Sequence, residues 1–221
     1  MKSTKLKSVP SKAKKYHHGD LRDAILRESV PLLKQLGPQS FNMREVAKRL
    51  KVSGAAPYRH FGSKEEIFFR LVEDGFRQLN SKFKGAIQSH PLEPGQQMTA
   101  IAHAYYDFAE KFPEHLQLMF GNYLSVSLKQ KDVSLNEAAN ELFLTLISAV
   151  QSCQLVQLLP ANAPSDILVV KIWSAIHGYS VLESGGLLAG TIQSNYDRKK
   201  LAEEMMQAIL RGLNPSTPKE S

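Results

Sequence analysis

The stretch KVSGAAPYRHFGSKEEI, residues 51–67, interrupts a chain that is otherwise patterned for long helices. Gly54 and Pro57 make it a poor segment for core building, because glycine leaves the backbone free and proline removes a hydrogen-bond donor. Ser53 stands before them as a helix-capping residue. The pattern predicts a short helix from Ser53 to about Phe61 that serves contact with another molecule.

Charge is distributed unevenly along the chain. Residues 1–62 carry 14 Lys and Arg against 4 Asp and Glu, whereas the remainder carries 14 against 17. We expect residues 1–18, which are rich in lysine, to form a disordered basic arm. Arginines and lysines continue beyond this arm, so the sequence predicts a polyanion-binding module attached to a mildly acidic body.

Several classes of protein are disfavoured by the composition. The one cysteine, Cys153, excludes an internal disulfide and fits a reducing compartment, and we expect it to be buried on an apolar helix face. The basic N-terminus lacks a hydrophobic core for a secretory signal, and the longest apolar run, residues 142–150, is too short to cross a membrane. Metal-ligand spacings and nucleophile motifs are missing. We therefore expect a cytoplasmic protein with no enzymatic activity, metal, cofactor or membrane partner.

Apolar residues recur at helical spacing throughout, which predicts an all-α fold of about nine helices. The first helix ends at Gly37-Pro38, and the eighth runs to about Leu188. The predicted helix-start residues are Asp20, Asn42 (with Glu45 in a capping box), Ser53, Ser63, Pro113, Ser134, Ser165 and Asn195.

Two short helices joined by a tight turn and braced by a first helix form a helix-turn-helix module. In such a module the second helix of the pair enters the major groove of DNA. Small residues at 54–56 allow the backbone to approach the DNA closely, and the next positions supply groups for phosphates. These groups belong to Tyr58, Arg59, His60 and Lys64.

The sequence of this segment resembles the helix-turn-helix signature of the TetR family of bacterial transcriptional regulators. The most specific parts of the resemblance are Tyr58-x-His60-Phe61 and Ser63-Lys64-Glu65. Residues 16–22 and Trp173 with His177-Gly178 resemble motifs of a subgroup whose C-terminal domain is named for Trp-His-Gly. Lys51 stands where the family commonly has glycine. The resemblance implies a set of DNA-contacting residues: Arg44, Ser53, Ala55, Ala56, Tyr58, His60 and Lys64.

The resemblance also implies a homodimer formed mainly by the last two helices. The eighth predicted helix carries more apolar surface than one core face requires, which agrees, although a monomer with a wide internal face is the alternative. The residues assigned to this interface are Ile172, Ile176, Tyr179, Leu182, Gly185 and Gly186.

An effector cavity among helices five to eight is a further implication of the resemblance. Few charges fall on these faces, which favours a mostly apolar ligand, and each residue has plain core packing as its alternative role. The candidate lining residues are Tyr105, Phe108, Met119, Phe120, Phe143, Trp173 and His177.

The sequence as a whole predicts a dimeric transcriptional regulator that binds double-stranded DNA, with residues 19–66 as the DNA-binding domain and residues 67–214 as the effector-binding and dimerisation domain. Residues 215–221 would form a disordered tail. Release of a repressor from a palindromic operator by an unidentified small molecule is the leading mechanism. We expect sequence specificity to come from Arg44, Arg59, contacts of Ala55 and Ala56 with thymine methyls, and DNA shape. An activator and a DNA-binding or architectural protein without a ligand remain as alternatives.

Overall fold

The computed structural model describes residues 18–124, 132–191 and 197–214, and all regular secondary structure in these ranges is helical. The predicted all-α fold is therefore confirmed. Residues 1–17 of the expected basic arm and the expected tail at 215–221 lie outside the described residues. The helices are α1 His18–Ser40, α2 Met43–Arg49, α3 Lys64–Gln88, α4 Pro94–Lys111, α5 Pro113–Phe120, α6 Val133–Leu155, α7 Ser165–Ser184, α8 Leu187–Thr191 and α9 Arg198–Leu213, with a 3-10 turn at Pro57–Arg59.

The chain divides into two compact units, residues 1–63 and residues 64–221. In the first unit, α1 and α2 pack against each other and α2 contacts the 3-10 turn. The core of this unit consists of Ile25, Leu32, Leu33, Phe41, Met43, Val46, Ala47 and Phe61, all buried.

Local chemistry sets the break in α1 and the start of α2 as the sequence predicts, whereas Asp20, the predicted cap of the first helix, lies inside α1, which begins at His18. Gly37 interrupts α1 with a φ of 72°, a left-handed conformation that glycine adopts without steric cost. Asn42 caps α2 by accepting a hydrogen bond from the Arg44 backbone N–H at 2.8 Å. The carboxylate of Glu45 lies 3.6 Å from Lys48, so the structure has the cap but pairs Glu45 with a lysine.

In the second unit, α3 is the longest helix, with 25 residues and a length of about 37 Å. It packs against α4, α5 and α6, and α4 in turn contacts α7 and α9. The starts of α3 at Lys64 and of α5 at Pro113 agree with the predicted capping and N1 signals. The second unit is thus a layered helical bundle with α4 at its centre.

Two predicted caps are wrong because the serines make tertiary contacts. Helix α6 is capped by Asp132, which accepts from the Leu135 backbone N–H at 3.0 Å, whereas the Ser134 hydroxyl donates to Glu73 on α3. Similarly, the hydroxyl of Ser165 donates to Gln154 at 2.8 Å and does not cap α7.

The last helices also differ from the expected bounds. Helix α7 ends at Ser184, short of the predicted Leu188, because Gly186 turns the chain with a φ of 73° before α8 begins. Asn195, the predicted cap of the last helix, lies outside the described residues. The structure begins α9 at Arg198, with Asp197 accepting from the N–H groups of the next two lysines at 2.9 and 3.1 Å.

Candidate nucleic-acid interface and effector cavity

The turn that follows α2 is a Schellman motif. The N–H of Val52 donates to the carbonyl of Ala47 at 3.0 Å, and the N–H of Lys51 donates to the carbonyl of Lys48 at 3.1 Å. Lys51 adopts the left-handed conformation, with a φ of 56°, at the position where glycine is favoured. The chain therefore reverses immediately after α2 even though a lysine occupies the turn.

The segment after this turn contains fewer helical residues than the sequence predicts. Turns occupy residues 54–56, and only Pro57–Arg59 is helical, in 3-10 form. The physical reason is Pro57, which lacks the N–H that an α-helix would direct to the Ser53 carbonyl. That carbonyl accepts instead from Ala56 at 2.8 Å, in an i+3 turn. The predicted Ser53-capped helix ending near Phe61 is wrong.

Tyr58 and Phe61, two aromatic residues of this segment, have opposite environments. Phe61 is 1% exposed, and the Arg22 guanidinium lies 5.0 Å from the centre of its ring, in a cation–π contact. Tyr58 is 49% exposed. The segment is thus anchored by Phe61 while it presents Tyr58 to the surroundings.

The predicted DNA-contacting residues divide by exposure into two groups. Five are exposed, namely Arg44, Ser53, Ala55, Tyr58 and Arg59, and three are partly buried, namely Ala56, His60 and Lys64. Lys64 is the first residue of α3 and belongs to the second unit.

The cations of the first unit are not equivalent. Arg49 forms an ion pair with Glu28 at 3.2 Å and a hydrogen bond to Gln35, so it joins α2 to α1. Arg44 and Arg59 form no ion pair with any described residue. The role of Arg49 is invisible in the sequence, because Glu28 lies 21 positions away and no helical spacing links the two.

A small apolar cavity lies among α3, α4, α6, α7 and α9 in the second unit. Its volume of about 20 Å³ is enough for about one water molecule. Its walls are Phe83, Met98, Ile101, Ala102, Tyr105, Leu146, Val150, Val169, Ile172, Trp173, Ile176 and Met206. Of the predicted lining residues, Tyr105 and Trp173 are present, whereas the large contribution of aliphatic residues was not predicted.

One polar pair lies at the edge of this cavity. The hydroxyl of Tyr105 and Nδ1 of His177 are 2.7 Å apart. Burial lowers the pKa of His177 and raises the pKa of Tyr105, so both groups are neutral near pH 7. Phe120 makes edge contacts with Trp173 and His177, at centroid distances of 5.5 and 5.0 Å. Four of the predicted residues therefore form one cluster.

The other predicted ligand residues have different positions. Phe108 and Met119 are buried in the core and do not line the cavity. A Cβ built on Gly75 of α3 would lie 2.6 Å from the Met119 sulfur, which shows how closely α3 and α5 approach each other. Phe143 is partly exposed on α6, away from the cavity walls.

Half of the residues assigned to a dimer interface are buried inside the unit itself. Ile172 and Ile176 line the cavity, and Tyr179 stacks on Tyr106 at 5.9 Å. All three lie on the face of α7 that points into the unit, so their side chains are part of its core. The exposed part of the assigned set is Leu182, Gly185 and Gly186, and other exposed apolar residues of α7 are Ile167, Val170 and Val181.

Cys153 belongs to α6. Cys153 is buried, its thiol donates to the Pro94 carbonyl at 3.4 Å, and burial raises its pKa to about 11. No cluster of three or more potential metal ligands occurs among the described residues. Within the same residues, no helix is long and apolar enough to cross a membrane.

Comparisons with known proteins agree with this architecture. Residues 25–71 match the model for bacterial regulatory proteins of the tetR family, and residues 98–209 match the model for the tetracyclin repressor-like C-terminal domain. A curated relative, the nucleoid occlusion factor SlmA of Marinobacter nauticus, is 28% identical over 122 residues, which are 55% of this chain and 60% of the relative.

Solved structures share the fold over most of the chain. A protein of unknown function from Rhodococcus sp. RHA1 superposes with a TM-score of 0.77 and 25% identity, covering 91% of this chain and all of that one. The transcriptional regulator FadR of Bacillus subtilis, solved in complex with stearoyl-CoA, has a TM-score of 0.64 and 13% identity, covering 86% of this chain and 98% of FadR. The first unit and the helical bundle of the second unit thus match known proteins in sequence and in fold. The chain belongs to the TetR family of bacterial regulatory proteins, which combine an N-terminal DNA-binding domain with a C-terminal ligand-binding domain.

Proposed function

We propose that this protein is a dimeric transcriptional repressor that binds a palindromic operator and is released by a small, mostly apolar effector. The protein acts in the cytoplasm, where its operator is accessible. The observation that carries the DNA-binding part is the composition of the exposed surface formed by α2 and the segment after it. Arg44, Tyr58 and Arg59 are exposed beside small residues, and the two arginines have no ion-pair partner among the described residues.

The short 3-10 turn determines how this surface reads DNA. Gly54 and Ala55 offer no polar side-chain atoms, so sequence readout rests on Arg44, Arg59, contacts of methyl groups with thymine, and DNA shape. Tyr58 and the exposed cations bind phosphates, and the lysine-rich N-terminus adds phosphate contacts that make affinity strongly dependent on salt.

The dimer is supported by α7. Its exposed face carries Ile167, Val170, Val181 and Leu182, apolar residues that a second copy of the chain would cover. This face replaces the buried Ile172, Ile176 and Tyr179 as the interface. A twofold dimer presents two recognition segments to the two halves of a palindrome.

The effector part rests on the cavity beside Tyr105 and His177. Because the cavity holds about one water molecule, a ligand would have to open it, and this opening would couple binding to a change in the bundle. The walls select an apolar molecule, and the neutral Tyr105–His177 pair selects one polar group on it.

The small volume also favours a second candidate, a DNA-binding protein without a small-molecule effector. In this candidate the apolar walls are ordinary core, and the Tyr105–His177 hydrogen bond only satisfies two buried polar groups. The two candidates differ in whether occupation of the cavity changes DNA affinity.

The DNA-binding proposal is tested by selecting bound sequences from random duplex DNA at two salt concentrations. We expect the selected sequences to contain an inverted repeat. Tyr58→Ala should bind this repeat at least tenfold more weakly, which corresponds to a loss of more than about 1.4 kcal/mol of binding free energy. Tyr123→Ala, which removes a partly exposed tyrosine of the second unit, is the matched control. Recovery of no motif, with binding that disappears in salt, would refute the repressor.

The effector proposal is tested with 1-decanol, an apolar chain bearing one hydroxyl. Trp173 is the only tryptophan and lines the cavity, so its fluorescence reports occupation directly. We expect 1-decanol to shift the emission spectrum of Trp173 and to abolish operator binding. It should bind more weakly to the Tyr105→Phe variant. A shift without any loss of operator binding would favour the candidate that has no effector-dependent function.

A further inference from the structure

A second cavity, of about 190 Å³, lies in the same unit, between α4, α7 and the first residue of α9. It shares no lining residue with the apolar cavity. Its walls include Tyr106 and Glu110 of α4, Ser180 and Glu183 of α7, and Arg198. Whereas the first cavity is apolar, this one collects ionisable groups and hydroxyls.

Glu183 is the deepest charge in this cavity. Its side chain is 4% exposed, and one carboxylate oxygen lies 2.7 Å from Nε of Arg198. The Arg198 side chain is about half exposed, and its Nη1 lies 3.9 Å from the carboxylate of Glu110 at the rim. Two carboxylates thus face one guanidinium, so the described residues that line the cavity have an excess of negative charge.

The hydroxyl of Ser180 is an unsatisfied group on the same wall. Ser180 is 1% exposed, and its hydroxyl has no hydrogen-bond partner among the described residues. Ser180 and Glu183 are three positions apart on α7, so both side chains lie on one face of the helix. A buried hydroxyl without a partner destabilises a protein, and a ligand that donates a hydrogen bond would remove this cost.

We propose that this cavity binds a small aliphatic amine in its protonated form. The ammonium group donates to Glu183 and to the Ser180 hydroxyl, and the ring of Tyr106 borders the site. Arg198 retains Glu110 as its partner when the ammonium takes its place beside Glu183. The cavity is smaller than sites for drug-sized ligands, which favours a short molecule.

Two features favour a cation over an anion. An anion would meet the carboxylates of Glu183 and Glu110, and among the described lining residues only Arg198 would attract it. Glu183 also lies in the last turn of α7, where the negative end of the helix dipole favours positive charge. The site is independent of the proposed effector cavity and of DNA, so its failure would leave the repressor proposal unaffected.

The test is titration calorimetry of the full chain, without DNA, against 1,4-diaminobutane, with 1,4-butanediol and butyrate as neutral and anionic probes of similar length. We expect the diamine to bind, and both other probes to bind at least tenfold more weakly. Glu183→Gln should weaken diamine binding at least tenfold and Ser180→Ala severalfold, because a charge-assisted and a neutral hydrogen bond are lost, respectively. Glu204→Gln removes the same charge from the exposed face of α9 and should change nothing.

Ser180→Ala keeps the proposal testable if Glu183→Gln does not fold, because removal of an unsatisfied hydroxyl leaves the core intact. Absence of diamine binding to the unaltered protein would overturn the proposal. Equal binding by the Ser180 and Glu204 variants would overturn it as well, since the diamine would then bind elsewhere. Tighter binding of butyrate would show that the cavity is an anion site centred on Arg198.

Discussion

The two units use their charged side chains in different ways. On the surface formed by α2 and the segment after it, Arg44 and Arg59 are exposed, and the backbone is held by a Schellman turn and by buried Phe61. In the second unit, Arg70 pairs with Glu73 and Asp132, and Glu73 also accepts from Arg77 at 3.0 Å.

The difference shows how the position of a charge relates to its use. Cations that join helices within a unit are matched by carboxylates, whereas Arg44 and Arg59 have no ion-pair partner among the described residues. We therefore expect the exposure of unpaired cations to be a better guide to the DNA interface than the number of cations. Four predictions would break or sharpen this comparison.

The largest effect is expected for Phe61→Ala. Removing a fully buried phenylalanine should destabilise the first unit by about 3–5 kcal/mol and abolish DNA binding, because the Arg22 contact and the anchor of the recognition segment are lost. Hydrogen exchange of the α1 and α2 amides measures this loss. Tyr58→Ala, three positions earlier, should change protection by less than about 0.5 kcal/mol. Equal destabilisation by both variants would contradict the assigned environments.

Arg44→Ala and Arg49→Ala should separate binding from folding. We expect Arg44→Ala to weaken operator binding about tenfold, because a phosphate or base contact is lost, and to leave stability unchanged. Arg49→Ala should lower stability by about 0.5–1 kcal/mol, because the partly exposed ion pair with Glu28 is lost, and should affect operator binding much less. Filter binding and urea unfolding measure the two effects, and a larger binding loss in Arg49→Ala would reverse our assignment.

Acid should weaken the ion cluster of the second unit. Burial alone would raise the pKa of Asp132, but the Leu135 N–H and the Arg70 guanidinium outweigh burial and hold this pKa below its usual value of 3.8. A lowered folded-state pKa stabilises the protein above the unfolded value, and this contribution disappears as pH falls through the folded-state value. Asp132→Asn should therefore cost about 1 kcal/mol at pH 7 and make thermal stability less sensitive to pH below about 4.

The control for this pH dependence is Glu137→Gln, an exposed carboxylate on the same helix. It should leave the acid dependence of the melting temperature unchanged. If Asp132→Asn melted with the same pH dependence as the unaltered protein, the Arg70 cluster would not be the source.

The smallest effect is expected for Lys51→Gly, which should stabilise the first unit by about 0.5–1 kcal/mol. Lysine is strained at the φ of 56° found here, whereas glycine is not. Urea unfolding measures the gain, and Lys48→Gly, inside α2, should destabilise by about 1 kcal/mol. A destabilised Lys51→Gly variant would show that the turn does not strain the lysine.

Local chemistry in the sequence was sufficient for the fold class and for most helix positions. The cap at Asn42, the break at Gly37 and the helix starts at Lys64 and Pro113 each depend on a few neighbouring residues. Such signals survive without tertiary contacts, because caps and breakers act on backbone groups within one turn.

Other features were decided only in three dimensions. Ser134 and Ser165 resemble caps but donate to Glu73 and Gln154, and Ile176 belongs to the cavity although its pattern suggested an interface. The Tyr105–His177 hydrogen bond joins residues 72 positions apart, which no periodicity reveals.

The sequence by itself thus determined a helical regulator of the TetR type with a basic, helix-turn-helix N-terminal region. The tertiary structure decided which residues are free to act. It places Arg49 in an ion pair while Arg44 is exposed, reduces the predicted recognition helix to a 3-10 turn, and brings Ser180, Glu183 and Arg198 to one cavity. The reason is that local hydrogen bonding fixes helices within a few residues, whereas burial and pairing depend on neighbours that are distant in the chain.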